Sequence, residues 1–358
     1  MFFTYFCRKY NLTHLYLDMI PPVYSPATGR YDSGMRYRRC GLSGVLLPEI
    51  SLGLWHNFGD VNPLENALAM AHYAFDHGIT HFDLANNYGP SDGSAEETFG
   101  LILKKSFLPY RDELFVSTKA GHDMWPGPYG SWGSRKSLMA SLDQSLRRMN
   151  LDYVDVFYSH RYDPETPIEE TMQALVDIVR QGKALYVGIS KYPKDKAAEA
   201  FRYLAERDVH CLLYQGRYNL FDRALEEQGI LAQAQAAGTG TIVFSPLAQG
   251  LLTSRYLDGV PEDSRMAQGR FLKREVLTAE VLAKVRALNA MAARRGQTLA
   301  EMALAWVLNH ASVTSVIVGA SSVGQLQDNL KTLQNADFSP EELAQIEQAC
   351  RQTPVTAG

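Results

Sequence analysis

From Ile50 onward the chain alternates between two hydrophobic patterns. Short, nearly continuous apolar runs give way to longer stretches with apolar residues at helical spacing, and the alternation yields eight runs. They are ISLGL (50–54), THFDLA (80–85), ELFVSTKA (113–120), DYVDVFYSH (152–160), ALYVGIS (184–190), CLLYQ (211–215), TIVFSP (241–246) and SVIVGAS (315–321). Apolar runs of this kind are strands buried on both faces, as in parallel sheets covered by helices. The intervening stretches Leu64–His77, Ala95–Lys104, Arg135–Met149, Ile168–Gln181, Lys194–Glu206, Ala224–Ala237 and Leu299–Asn309 read as those helices. No Gly/Ser linker separates any pair of units, which predicts one α/β domain, a (β/α)8 TIM barrel. An open doubly wound sheet would have a similar count, but no GxGxxG follows the first run.

Several pieces fall outside the repeat. RYRRCGLSGVLLPEI (36–50) reads as a β-hairpin turning at Gly41–Gly44, a cap for the N-terminal mouth of the barrel. An insertion over Leu247–Arg274 follows the seventh run, and Pro340–Arg351 reads as an extra C-terminal helix. The expected organisation is an N-terminal extension over 1–35, poorly ordered, one barrel domain over 36–351, and a tail over 352–358. The segment MFFTYFCRKYNLTHLYLDMI is apolar but interrupted by Arg8, Lys9 and Asp18. It lacks a small-residue cleavage site before Pro21, so it reads as an extension and not as a signal peptide.

Composition narrows the partners. Apolar residues make up 46% of the 358, enough for a large core, and 35 basic against 39 acidic residues leave a net charge of -4. That balance predicts neither nucleic acid nor membrane as a partner. Cys7, Cys40, Cys211 and Cys350 show no CxxC spacing and suit a reducing cytoplasm. His77 and His81 are four apart, but Gly78 divides a helix end from a strand start, so the rings need not share a face and no metal site is expected.

In such barrels the chemistry sits where strands end. The second run ends FDLANNYG, placing Asp83 at the rim and Tyr88 in the loop above; the third delivers Lys119 and the fourth His160. Together they suit carbonyl reduction, in which an oxygen gaining negative charge needs a proton donor. A free phenol titrates near about 10; an adjacent Lys119 cation is expected to lower Tyr88, Asp83 to hold Lys119, and His160 to orient the substrate oxygen. Singly, each has a structural reading: a buried ion pair, a packed tyrosine, a core histidine. Four on successive strand ends favour catalysis.

FDLANNYG, FVSTKAG and FYSHR, in these contexts, resemble the catalytic tetrad of the aldo-keto reductase family, and the likeness runs from about Tyr37 to Ala349. SLGLWHNFG, TKAGHDMWPGPYG, SPLAQGLLT and VGASSVGQLQDN are similar to the branch containing a bacterial L-glyceraldehyde 3-phosphate reductase and the potassium-channel β subunits. The resemblance implies NADPH/NADP+ as cofactor. It places Trp55 and Asp83 near the nicotinamide, and Ser190 and Gln215 at its carboxamide. Phe244, Ser245, Pro246, Leu247 and Gln249 fall to the pyrophosphate, and Gly319, Ser321, Gln325, Asp328 and Asn329 to the adenosine end. It also brings Arg255 and Arg265 to the cofactor phosphates, where a guanidinium grips a 2′-phosphate.

Trp125, Tyr129 and Trp132 with Trp55, Tyr88 and His160 are expected to wall a pocket for a small carbonyl substrate. L-glyceraldehyde 3-phosphate and methylglyoxal are the candidates. A homo-oligomer is in keeping with this branch. Two places depart from it: Lys191 stands where a neutral residue is common, and GRYNLF carries Gly216 and Arg217 where small or proline residues occur. The alternative function is an NADPH-binding sensor or accessory subunit with slow turnover. A hydrolase using Asp83 and His160 on water lacks metal ligands.

Overall fold

A computed structural model describes residues 24–262, 264–269 and 273–351. Eight parallel strands form a closed barrel: β3 (Ile50–Gly53), β4 (His81–Asp83), β5 (Phe115–Ala120), β6 (Val154–Ser159), β7 (Ala184–Ser190), β8 (Cys211–Arg217), β9 (Gly240–Phe244) and β10 (Val313–Val318). They follow one another around the barrel in chain order, and β10 closes it by pairing Val316 with Ile50 and Val318 with Leu52. That pairing, between runs more than half the chain apart, excludes the open sheet.

The helices mostly match the predicted stretches. Leu64–Asp76 (α1), Ser94–Ile102 (α2), Arg135–Met149 (α3), Ile168–Arg180 (α4) and Lys194–Ala205 (α5) cover the first strands. The stretch Ala224–Ala237 is broken: Gly229, at φ 73, ends Ala224–Glu227 (α6) and starts Ile230–Ala236 (α7). After the insertion, which holds the short helix Arg265–Gln268 (α8), comes a helix absent from the predicted set, Ala279–Arg294 (α9). Thr278 caps it by accepting from the Val281 amide, and Val285, Leu288, Met291 and Ala292 bury one stripe. That stripe packs with Ile346 and Ala349 of the C-terminal helix Pro340–Arg351, so α9 belongs to a satellite core outside the strand-helix alternation.

Strands β1 (Tyr37–Arg39) and β2 (Leu46–Pro48) pair antiparallel as the predicted hairpin. Cys40 and Leu47 join Val156, Leu213, Ile242 and Ile317 in a cluster that floors the barrel. The turn sits hard against the wall. A Cβ on Gly41 would lie 2.0 Å from the Gly238 carbonyl oxygen, and Gly41 has a φ of 54. The catalytic rim is at the opposite end.

Of the expected N-terminal extension, residues 1–23 lie outside the described residues, as does the tail 352–358. Residues 24–35 pack on the barrel: the Tyr24 ring stacks on His72 at 3.9 Å, and its hydroxyl donates to Asp76 at 2.9 Å. Arg30 pairs with Glu113. No described helix is long and apolar enough to cross a membrane.

Candidate active site

The local fold around Tyr88 is set by backbone hydrogen bonds. Its amide donates to the Ala85 carbonyl at 3.0 Å, and the next amide, of Gly89, donates to the Trp55 carbonyl at 2.9 Å. Gly89 has a φ of 104, and a Cβ there would lie 2.1 Å from Ser94 Oγ, so the turn accepts no side chain at that point. This ties the loop after β4 to the loop after β3 and puts the Tyr88 and Trp55 rings 6.3 Å apart.

Lys119, fully buried on β5, reaches across the rim. Its Nζ donates to Asp83 Oδ2 at 2.6 Å and to the Leu84 carbonyl at 2.5 Å, and lies 3.4 Å from the Tyr88 hydroxyl. The His160 ring stands edge-on to Tyr88 with centroids 5.9 Å apart. The four predicted catalytic side chains therefore meet at one end of the barrel.

One expectation about them is reversed. Tyr88 is not pulled down by Lys119: burial, and then the Asp83 carboxylate, hold its pKa well above the usual phenol value. Asp83 sits closer to Lys119 than Tyr88 does and offsets its charge, so the phenol faces a nearly neutral pair in a water-poor site. Taken as a whole residue, Tyr88 is half-buried. Burial also pushes His160 well below its usual range, helped by Lys119, Lys191, His122 and Arg161, leaving a neutral imidazole. Lys119 is lowered by burial while Asp83 opposes the shift.

Asp83 is itself held from below. Ser117 donates to Asp83 Oδ1 at 2.7 Å, and Gln215 Nε2 donates to the same oxygen at 3.1 Å. Since the Ser117 proton points to the carboxylate, its oxygen accepts from His81 Nε2 at 3.0 Å. His81 Nδ1 then accepts from Ser51 Oγ at 2.8 Å, and Ser51 accepts from Ser315 Oγ at 2.6 Å. Burial lowers the His81 pKa to about 4, consistent with the neutral Nε2–H tautomer. In the sequence His81 stands out only as one of two histidines four apart without a metal-site pattern. Its alternation with Asp83 on one strand, both facing the barrel interior, was the available signal.

Several of the expected cofactor residues end or directly follow β7, β8, β9 and β10, at the same end of the barrel as the tetrad. Ser190 and Gln215 are register partners on β7 and β8, and Ser190 Oγ is buried without a hydrogen-bond partner. Phe244 ends β9, and Ser245, Pro246, Leu247 and Gln249 follow; Ser245, Ala248 and Gln249 have left-handed φ values of 55, 46 and 59. Such strain gathers at functional sites. Gln249 Oε1 is also buried and unpartnered. Beyond β10, Gly319 and Ser321 are exposed ahead of the helix Val323–Lys331 (α10), where Gln325 accepts from the Ser321 amide at 2.9 Å. Asp328 pairs with Lys331 at 2.7 Å, and Asn329 is buried. Arg255 is exposed on the insertion. Arg265 begins α8, but its side chain is outside the described residues.

The aromatic wall is divided. Trp55 lies beside Tyr88, whereas Trp132 is held on the loop after β5: its amide donates to the Gly121 carbonyl at 3.0 Å, and Arg161 stacks on its ring at 3.5 Å. Trp125 is half-buried in the same loop. Tyr129 is 52% exposed and meets Lys136 on α3, not the tetrad. His122 stands beside His160 with ring centroids 4.5 Å apart, and Lys191 reaches His122 in turn, its Nζ 2.9 Å from His122 Nε2. A surface cavity of about 380 Å³ lies elsewhere, between Gly296–Glu301 and Lys331–Asn335, and none of the tetrad lines it.

A closed (β/α)8 barrel carrying Asp, Tyr, Lys and His at one rim defines a class of carbonyl-reducing enzymes. The family model for the aldo/keto reductase family matches residues 49–351, and the chain belongs to that family. It is an oxidoreductase, and the family generally uses NADP(H). It is 57% identical over 318 residues to the L-glyceraldehyde 3-phosphate reductase of Escherichia coli O157:H7, covering 88% of this chain and 92% of that protein. To the same-named protein of Escherichia coli strain K12 it is 56% identical over the same shares. A "Probable voltage-gated potassium channel subunit beta" of Arabidopsis thaliana is 36% identical over 89% of this chain and 98% of its own length.

Proposed function

We propose that this enzyme reduces a small aldehyde or ketone with NADPH, L-glyceraldehyde 3-phosphate being the leading substrate, and that Tyr88 supplies the proton. The observation that carries the reading is the Tyr88 hydroxyl 3.4 Å from Lys119 Nζ, with Lys119 bound to Asp83 at 2.6 Å. The orphaned Ser190 Oγ and Gln249 Oε1 fit a cofactor that brings its own polar groups to that rim. Ser190 and Gln215 would hold the carboxamide, the turn from Phe244 to Gln249 the pyrophosphate, and the start of α10 the adenosine end. Arg255 and Arg265 would meet the 2′-phosphate. The bound nicotinamide supplies the hydride.

The residues do the rest. Neutral His160 donates a hydrogen bond to the carbonyl oxygen and fixes its direction. As negative charge collects on that oxygen it becomes far more basic than a phenolate, so Tyr88 gives up its proton despite its raised pKa. The resulting phenolate is stabilised by the Lys119 ammonium, which Asp83 holds in place. Trp55 and Trp132 limit water at the rim.

The test follows nicotinamide absorbance with glyceraldehyde 3-phosphate, methylglyoxal and an aromatic aldehyde, for the wild type and Tyr88→Phe. Turnover in the wild type and its collapse in the variant are expected. Full activity of Tyr88→Phe removes Tyr88 as the donor, and cofactor binding without turnover in the wild type points to a sensor.

A further inference from the structure

Lys191 is a cation at the rim that carries Tyr88 and His160, and the proposed reaction does not use it. It follows Ser190 at the end of β7 with a φ of 57, and its amide donates to the Gln215 carbonyl at 3.1 Å. Its ammonium donates to His122 Nε2 at 2.9 Å, and His122 stands edge-on to His160. Lys191 is thus one side chain removed from the imidazole that faces Tyr88, and it is open to solvent.

The neighbouring cations each have a carboxylate: Lys119 has Asp83 at 2.6 Å, Arg161 has Asp123 at 3.7 Å, and Arg217 has Asp222 at 3.9 Å. Among the described residues no carboxylate forms an ion pair with Lys191. Its partner His122 is neutral at pH 7, burial having taken it down to about 4 with Lys191 and Arg161 adding to the shift. Lys191 itself is pulled down to about 8, by partial loss of water around its ammonium first and then by Lys119, Arg161 and Arg217. A cation held among cations without a counter-ion leaves a local deficit of negative charge, which a bound anion relieves. The ammonium keeps two N–H donors beyond the one given to His122. The Arg161 guanidinium is fixed nearby by the Gly121 carbonyl and by stacking on Trp132.

We propose that Lys191, set by His122, is the anion subsite of the substrate pocket, binding the phosphate of a short-chain aldehyde phosphate whose carbonyl lies between Tyr88 and His160. A dianionic phosphate answers this deficit better than a carboxylate. The inference rests on the carbonyl-reductase reading above.

The experiment measures kcat/KM with NADPH for glyceraldehyde 3-phosphate, glyceraldehyde and glyoxylate in the wild type, Lys191→Met and Lys191→Arg, alongside NADPH affinity by fluorescence. Lys191→Met should lose about 10- to 100-fold for the phosphate, mostly through KM, and change by less than about twofold for glyceraldehyde, the loss expected for one charge-assisted hydrogen bond. Lys191→Arg should recover most of it, with NADPH affinity unchanged. Equal losses on both aldehydes, weaker NADPH binding, or a wild type that prefers glyceraldehyde or glyoxylate each overturn the subsite. If the wild type reduces none of the three, the reductase reading fails separately. Calorimetric titration with inorganic phosphate then decides the subsite: binding lost in Lys191→Met supports it, and binding unchanged or absent in the wild type overturns it.

Discussion

Acid should loosen this barrel from the inside, through His81. The ring is fully buried between Ser51 and Ser117, and burial lowers its pKa from 6.5 to about 4. In the unfolded chain it titrates near about 6.5, so between these values the unfolded state binds more protons and stability rises with pH. His81 therefore costs almost nothing at pH 7.5 and above, and its destabilising effect grows as pH falls through 6.5 toward the folded value. From pH 7.5 to pH 4.5 this one residue removes about 2 to 3 kcal/mol, the shift being worth roughly 1 kcal/mol or slightly more per unit and not yet complete. Urea unfolding at both pH values, for the wild type and His81→Gln, isolates the effect. The Gln variant should be less stable at pH 7.5, because it disturbs the Ser51 and Ser117 bonds, yet lose less on acidification by about that amount. A wild-type pH dependence matched by the variant within about 0.5 kcal/mol would refute the assignment of a buried neutral His81 beneath Asp83.

Lys119→Met strands the buried Asp83 carboxylate and should cost about 3–5 kcal/mol in unfolding free energy, with turnover abolished. Ser190→Ala should leave thermal stability unchanged, because its oxygen has no partner to lose, while NADPH binding measured by fluorescence weakens about 2- to 10-fold. Gly41→Ala forces a Cβ to within 2.0 Å of the Gly238 carbonyl oxygen at a left-handed backbone position, so the floor must shift. A fall in melting temperature with unchanged KM is expected, since the hairpin lies at the end away from the rim.

Much of the fold was legible because barrel strands, buried on both faces, leave apolar runs that no loop imitates. Boundaries were less so: the run at 80–85 contributes only His81–Asp83 as strand, and the last strand begins at Val313, two residues before the run marked for it. Helix α9 carries its own Thr278 cap and apolar stripe, but it follows no strand and so fell outside the repeat used to find helices. The tetrad could be picked out because its residues end successive strands. His122 could not, because a histidine in a loop acquires meaning only from the His160 and Lys191 it meets.

The sequence by itself determined the strand-helix alternation, the identity of Asp83, Tyr88, Lys119 and His160, and the Lys191 departure, all properties carried by local pattern or motif. Tertiary structure decided closure, through β10 on β3. It also decided protonation, which depends on burial and on distances between residues far apart in the chain. Lys119, expected to acidify Tyr88, has its charge offset by Asp83 at 2.6 Å, and a water-poor site keeps the phenol protonated. Motifs name the participants, but an electrostatic balance is a sum over all neighbours, and only the folded chain fixes which neighbours those are.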